Sequence, residues 1–368
     1  MSETPPSDED TTSSDETPRT FPCESCGANL EFNIGVQQLK CPFCGFEKEL
    51  SLDDDAEVKE QDLNAILESL ATRRQKDVPK ASAKELHCGA CGGIVLFTKS
   101  LISTSCPYCD CPIQSEDAVN SSERLPPDAV LPFAVDKVAA NKNLGAWVSS
   151  RWFAPNEFKS RGVNGNFNGL YLPHWTFDSM TFSRYNGQRG TYYYTQDSAG
   201  NRTRQTRWTP VTGSFQRFFD DLLVCAAKDT KRTLMEALEP WPLEKLTPFN
   251  PECLAGYVAM TYETDLREGF SVGKSRMHDL LSAQARRRIG GDTQRLHHLE
   301  TRYDALTFKH VLLPVWMLAY RYNNKSYQVV VNACSGEVQG ERPYSWVKIA
   351  FAGLVSLFGL ATLAYLSQ

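Results

Sequence analysis

Hydrophobic and polar residues alternate over long stretches of the second half of the chain, a pattern that is typical of β-strands. The runs 169–187 and 190–208 are rich in Tyr, Phe, Trp and Thr and end at Gly and Asn residues, so they predict antiparallel strands. The segment 312–340 predicts a hairpin that turns at Asn323-Asn324 and turns again at Ser335-Gly336. These patterns predict an antiparallel sheet.

Apolar residues follow a helical spacing in four other segments. Helices are predicted at 60–74, 136–153, 230–241 and 275–291, the second beginning near Asp136. The first of these would be a spacer that packs on its neighbours. Strands and helices together predict the α+β class.

A further apolar run, 349–366, contains 18 residues without a charge. As a helix it would span about 27 Å, close to the thickness of a bilayer core. Arg342 and Lys348 precede it, which would place the bulk of the chain in the cytoplasm. The run predicts a transmembrane tail anchor and a single-pass protein of the cell inner membrane. The alternative is a buried terminal helix, which apolar residues on every face make less attractive.

Residues 1–20 lack this apolar content and predict a disordered tail. They carry six acidic residues and one arginine, so they account for the net charge of −5, and the rest of the chain is neutral. They do not resemble a signal peptide. We therefore expect a cytosolic body, with cysteines that are reduced and available to a metal.

Eight of the twelve cysteines form one pattern that occurs twice, with an offset of 65 residues. Each copy reads C-x2-C, fourteen residues, C-x2-C. The first copy holds Cys23, Cys26, Cys41 and Cys44, and the second holds Cys88, Cys91, Cys106 and Cys109. Two such knuckles close a tetrahedral four-thiolate site, so the spacing predicts two zinc ribbons. Iron–sulfur clusters and disulfides are the alternatives.

Two structural Zn²⁺ ions are thus the expected cofactors. Four thiolates leave no open coordination position, so neither site is expected to be catalytic. Neither ribbon is basic, which favours contacts with proteins over contacts with phosphates. Cys111 falls outside the repeat and is expected to be a small apolar filler, although an alternate ligand or a redox-sensitive thiol remains open.

Several residues outside the ribbons imitate catalytic motifs. The segment 269–275, GFSVGKS, has three residues between its glycines, whereas a phosphate-binding loop has four. Asp220-Asp221 are interpreted as the start of a strand, and His297-His298 as a solvated helix face. His174 and Asp178 have no nucleophile paired with them by sequence. We therefore expect no catalytic residues and no enzyme.

Arginine and aromatic residues interleave in the predicted hairpin, a pattern that can bind single strands by stacking. The favoured interpretation is a solvated arginine face with a buried aromatic face. The residues are Arg184, Arg189, Arg202, Arg204, Arg207, Tyr192, Tyr193, Tyr194 and Trp208.

Several motifs occur in a specific order: the twin ribbons, VLPFAVDK, YLPHWTFD, LEPWPLEKLTPFN, LAGY, LLPVWMLAYRY and SGEVQGERP. In this order they resemble a bacterial family of TFIIB-type zinc-ribbon membrane proteins. Members are often labelled primosomal-protein-like or helicase-like, but this chain lacks the nucleotide-binding motifs. The resemblance implies a scaffold associated with phage-shock-type or SPFH-type proteins of envelope stress.

The predicted organisation is therefore two tandem four-cysteine zinc ribbons, an α+β domain and a membrane anchor. The expected function is a non-enzymatic adaptor that binds proteins at the cytosolic membrane face. The alternative is a membrane-tethered nucleic-acid factor in replication or transcription, although nucleic acid is not the expected partner. The segments are an acidic tail (1–20), ribbon 1 (21–50), a helical linker (51–84), ribbon 2 (85–115), a linker (116–130), the α+β domain (131–345) and the anchor (346–368).

Overall fold

A computed structural model shows how these segments fold. It describes residues 21–28, 30–34, 38–49, 58–73, 83–87, 94–97, 103–105, 112–114, 118–121, 124–155, 167–196, 198, 200–228, 231–322 and 325–366. The predicted acidic tail, the four cysteines of the second copy and Cys111 lie outside these residues.

The described strands, in chain order, are β1 (Glu31–Asn33), β2 (Gln38–Lys40), β3 (Glu47–Lys48), β4 (Gln61–Asp62), β5 (Ala83–His87), β6 (Ile94–Phe97), β7 (Ser103–Ser105), β8 (Pro112–Gln114), β9 (Ala118–Ser121), β10 (Ala129–Val130), β11 (Phe167–Gln196), β12 (Arg202–Cys225), β13 (Thr247–Pro248), β14 (Val258–Ala259), β15 (Thr293–Tyr322), β16 (Lys325–Asn332) and β17 (Val338–Gly340). The helices are α1 (Leu63–Arg73), α2 (Lys137–Ser149), α3 (Arg232–Ala237), α4 (Leu266–Ile289) and α5 (Trp346–Leu366), with 3-10 turns at Leu243–Lys245 and Pro251–Leu254.

A mostly antiparallel sheet dominates the molecule, with the order β12-β11-β15-β10-β13. The strands β4, β14, β16 and β17 join it at its sides, and two of its pairings, β10 with β15 and β11 with β14, are parallel. The predicted hairpin is confirmed as β15–β16, because Tyr322 pairs with Lys325 across the turn. The prediction of an antiparallel sheet with helices is thereby confirmed.

Helix α4 covers one face of the three long strands. Its N-terminal cap is Asp265, whose carboxylate accepts a hydrogen bond from the Glu268 N–H at 2.8 Å. The segment GFSVGKS lies inside this helix rather than in a loop. Its glycines allow close packing, since a Cβ at Gly269 would lie 2.5 Å from the Trp175 ring and one at Gly273 would lie 2.8 Å from Phe177. The resemblance to a phosphate loop is thus explained by packing.

Two further helices, α2 and α1, pack on the sheet. Helix α2 begins as predicted, because the Asp136 carboxylate caps it by accepting from the Ala139 N–H at 2.7 Å. Leu144 and Val148 of this helix pack with Tyr171 and Trp316 of the sheet. Helix α1 packs on its neighbours, as predicted. Its Leu63 is fully buried among the residues beneath α4.

Two sequence interpretations of the central domain are wrong. His297 and His298 lie in strand β15 and not on a helix. Asp220 and Asp221 lie near the end of strand β12, not at its start. Strand β15 carries irregularities where the register against β11 shifts, and these disturb the simple alternation from which strands are read.

The C-terminal apolar run forms α5, whose start is fixed on the folded domain. The Ser345 N–H donates to the Phe153 carbonyl, and Lys348 Nζ donates to the Ala154 carbonyl, both at 2.8 Å. Among the described residues, no helix combines the length and the apolar content needed to cross a bilayer. For this part of the chain the predicted transmembrane anchor is wrong, and so is the predicted single-pass inner-membrane localisation. The prediction of an anchor depended on the 18 uncharged residues and on Lys348 as a basic residue at the membrane surface. In the structure Lys348 instead donates a hydrogen bond to the backbone of the folded domain.

Candidate functional site

Four cysteines of the first ribbon converge on one point. Their Sγ atoms all lie within 4.8 Å of one another, and the residues are Cys23, Cys26, Cys41 and Cys44. The Sγ atoms of Cys23 and Cys44 are 3.5 Å apart, as are those of Cys26 and Cys41. Sulfur ligands at about 2.3 Å from a tetrahedral metal would be separated by roughly 3.8 Å. The cluster can therefore hold one metal ion.

The two knuckles of this ribbon have the same backbone geometry. The Gly27 N–H donates to the Cys23 carbonyl at 2.8 Å, and the Gly45 N–H donates to the Cys41 carbonyl at 3.0 Å. Both glycines have a positive φ, 75° and 74°, which side chains with a Cβ rarely adopt. The glycine after each second cysteine thus lets the chain turn back and direct two sulfur atoms to one point.

Backbone dipoles favour the ionised form of one ligand. The N–H groups of Cys44 and, to a smaller extent, Phe43 lower the pKa of the Cys41 thiol to about 6, although burial acts in the opposite direction. A thiolate rather than a thiol is the form that binds a metal. The pKa of Cys26 changes in the opposite direction, to about 12, because the Ala28 N–H, which lowers it, is outweighed by hydrogen bonds with Cys44 and Cys41. Of the Cys26 and Cys41 thiols, only that of Cys41 is therefore prepared for a cation.

The first ribbon is fixed on the main domain. The Phe32 N–H donates to the Ala255 carbonyl at 3.1 Å, and both residues are buried in one small core. Gly256 lies beside Glu31, where a Cβ would come within 3.2 Å of the Glu31 side chain. The four-cysteine cluster is thereby held against the loop that follows the 3-10 turn Pro251–Leu254.

One strand pairing of the second copy repeats a pairing of the first. In ribbon 1, Leu39 pairs with Lys48. In the second copy, Thr104 pairs with Ile113, and both positions follow their counterparts by 65 residues. Cys88, Cys91, Cys106 and Cys109 lie outside the described residues. The β2–β3 pairing of ribbon 1 thus recurs as β7–β8, whereas β6, the counterpart of β1, pairs with β5.

A second polar cluster surrounds Lys309, whose side chain is only 8% exposed. Its Nζ lies 2.7 Å from Asp221, 3.3 Å from Glu60 and 4.0 Å from Asp178. Burial raises the pKa of Asp178 to about 6, although the Asp221 N–H and the Lys309 charge lower it. The register shifts at Asp178 in both of its pairings, and Asp221 has a φ of 48°. Lys309 therefore neutralises part of the carboxylate cluster, and its ion pair with Glu60 joins the residue before β4 to the sheet.

Two histidines are buried close to this cluster. Burial lowers the pKa values of His174 and His310 to about 4, so both rings are neutral at physiological pH. Nδ1 of His174 contacts the Leu172 carbonyl at 3.0 Å, and the His310 ring packs on Trp175 with centroids 4.7 Å apart. His174 and Asp178 are therefore both buried parts of the core.

The arginine–aromatic hairpin differs from its favoured interpretation. Tyr194 is 67% exposed and pairs with Arg204, so an aromatic ring and an arginine share one face. Arg295 and Arg302 of β15 also lie on that face, and no sequence pattern indicated them. They are about a hundred residues away in the chain, and only the register of the strands brings them there.

Comparisons with known proteins leave the function open. No family model matches the chain, and no solved structure matches it. It is 28% identical over 348 residues to the uncharacterized protein YdjG of Bacillus subtilis (strain 168), with 91% of this chain and 94% of that protein covered. No activity can be taken from this relative, so the functional argument depends on the residues of this chain.

Proposed function

We propose that this protein is a non-enzymatic adaptor whose zinc ribbons bind protein partners. The observation that carries the proposal is the convergence of Cys23, Cys26, Cys41 and Cys44 in a ribbon that docks on a rigid sheet. Thiolates are soft ligands, and a closed four-sulfur site suits structural Zn²⁺. Such a site supplies folding energy and leaves no coordination position for a substrate.

A second zinc is proposed for the other copy. Its ligands would be Cys88, Cys91, Cys106 and Cys109, because the 65-residue repeat includes the four cysteines and one strand pairing, β2–β3 and β7–β8. Each chain would then hold two zinc ions.

An exposed aromatic residue supports protein binding. Phe43 lies between the ligands Cys41 and Cys44 and is 82% exposed. Large aromatic side chains on rigid supports are common anchors of protein interfaces. The ribbon has few basic residues, and Lys40 is paired with Glu47 at 2.7 Å, which argues against phosphate contacts at this place. Because of the family resemblance, phage-shock-type and SPFH-type proteins are the first partners to test.

The test measures zinc content and partner affinity together. Full-length wild type and Phe43→Ala would be compared by biolayer interferometry against purified phage-shock-type and SPFH-type proteins. We expect two zinc ions per chain in both, and an affinity for one partner that is at least about 10-fold weaker in the variant. The matched control is Val138→Ala, which removes another apolar side chain that is 80% exposed, on helix α2.

Two results would contradict the adaptor function. One is equal partner affinity of wild type and Phe43→Ala, which would exclude the ribbon tip as the binding surface. The other is a failure of wild type to bind either class of protein.

A further inference from the structure

The three long strands β12, β11 and β15 have one covered face and one open face. On the covered side, Tyr185 and Phe215 pack in the core beneath α4. On the other side, Arg184 pairs with Ser214 and with Glu300, and all three residues are exposed. Cross-strand partners point to the same side of a sheet, so the register defines which residues share the open face.

Aromatic residues occur along this open face over many cross-strand rows. Phe182 pairs with Gln216, Gly190 pairs with Trp208, and Tyr194 pairs with Arg204. Tyr194 is 67% exposed and Phe218 is 55% exposed. The aromatic residues of the open face are Phe182, Tyr192, Tyr194, Trp208 and Phe218.

Arginines lie over three of these rings. The guanidinium carbon lies 3.9 Å from the ring centroid for Arg295 over Trp208, 4.4 Å for Arg204 over Tyr192 and 4.7 Å for Arg302 over Phe182. Each contact joins two different strands, and each holds a guanidinium group over an aromatic ring of the open face. The long side chains are thus positioned before any ligand arrives.

The open face is also positively charged, although the chain beyond its acidic tail is neutral. From the row of Met180 and Phe218 outward to the turn, the described residues of this face include two carboxylates, Glu300 and Asp304. The same rows contain five arginines, which are Arg184, Arg202, Arg204, Arg295 and Arg302. One of them, Arg302, is paired with Asp304 at 2.9 Å.

We infer that this open face binds single-stranded nucleic acid. Phosphates would bind the arginines, and unpaired bases would stack on the exposed ring of Tyr194 and on the guanidinium planes that lie over Tyr192 and Trp208. Sheets that present aromatic residues recognise single strands in this way, because unstacked bases expose their faces. This inference is independent of the adaptor function, since the open face and the ribbon tip share no residues.

Two other anionic partners fit the face less well. A duplex keeps its bases stacked, so the exposed rings would contribute little to its binding. An acidic protein would satisfy the arginines, but it offers no row of planar groups for the aromatic residues. Both partners are therefore included as competitors in the test.

Fluorescence anisotropy of the full chain provides the test, with labelled oligo-dT and oligo-U of about 16 nucleotides. We expect binding at about 50 mM salt that weakens as salt is raised. Arg204→Ala/Arg295→Ala should weaken it at least about 10-fold and reduce the salt slope by roughly 1.4, or about 0.7 per lost phosphate contact. Tyr194→Ala should weaken binding about 5-fold or more with an unchanged slope, because stacking releases no counterions.

The control removes the same charge from the covered side. Arg267→Ala/Arg287→Ala changes two exposed arginines of α4 and should leave affinity within about 2-fold of wild type, with thermal unfolding recorded for every variant. Absence of wild-type binding at low salt would overturn the inference. So would equal affinity for a duplex of the same length or for polyglutamate, or an unaffected Tyr194→Ala variant.

Discussion

Ribbon 1 and the long-stranded sheet use different means of stability within one chain. In the ribbon, the four ligands lie within 22 residues of one another, and the buried core around them is small. In the sheet, Trp175 packs against Tyr262 and His310, so its core joins segments that are far apart in sequence. A short segment that cannot bury enough apolar surface depends on metal, whereas the sheet depends on burial and register.

Metal removal should produce the largest effect, and it should be confined to the ribbon. Structural zinc contributes on the order of 10 kcal/mol to the folding of such modules. Cys41→Ser, or chelation of wild type, should therefore abolish hydrogen-exchange protection in residues 30–41. The sheet should keep its protection and its melting temperature within a few degrees, because its own large buried core contains no metal ligand.

The matched variant is Cys253→Ser, which changes a buried cysteine that is not part of the cluster. It should retain the metal content of wild type. If the sheet unfolds together with the ribbon in Cys41→Ser, the two regions are one cooperative unit and the contrast between them is lost.

The converse change is in the sheet. Trp175 is fully buried, and its Nε1 donates to the Thr264 carbonyl at 2.9 Å. Trp175→Ala should lower the free energy of unfolding by about 3–5 kcal/mol, because it leaves a large cavity beneath α4. The ribbon should keep its metal, which emission spectrometry would show beside urea unfolding. Trp152→Ala, at a residue 56% exposed, should cost less than about 1 kcal/mol; an equal loss in both variants would contradict the assigned core.

The same contrast explains which features the sequence could predict. The ligands of ribbon 1 and the Asp136 cap depend on residues close to one another in the sequence, so their spacing alone predicts them. The alternation in β11 and β16 likewise predicts strands. Each of these features is local, and each is present in the structure.

The complete set of residues on the open face could not be predicted, because bulges in β15 shift which of its residues share a side. Leu296, Leu299 and Tyr303 are partly buried on one side of β15, with spacings of three and four residues. That spacing imitates a helix, which accounts for the wrong interpretation of His297 and His298. The contact between Arg295 and Trp208 also requires the register of three strands and has no local signal.

Acid should expose a further difference, since the sheet contains two buried neutral histidines. Burial lowers the pKa values of His174 and His310 from 6.5 to about 4. The unfolded chain then binds protons that the folded chain excludes, so stability falls as pH falls from 6.5 towards 4. Asp178 acts with the opposite sign, because its folded pKa of about 6 exceeds 3.8 and favours the folded state as it protonates.

His310→Phe should reduce the loss of stability of the sheet in acid, and this effect is smaller than those of metal removal and of Trp175→Ala. Between neutral pH and about pH 5, a histidine that stays neutral in the folded state but is protonated in the unfolded chain lowers the free energy of unfolding by roughly 2 kcal/mol. Urea unfolding at about pH 7 and pH 5 should therefore show a loss in the variant that is smaller by that amount. Asp178→Asn is the control of opposite sign and should show a larger loss than wild type. If His310→Phe and wild type lose the same stability, His310 is not excluded from protons in the folded sheet, and the acid response must come from elsewhere in the chain.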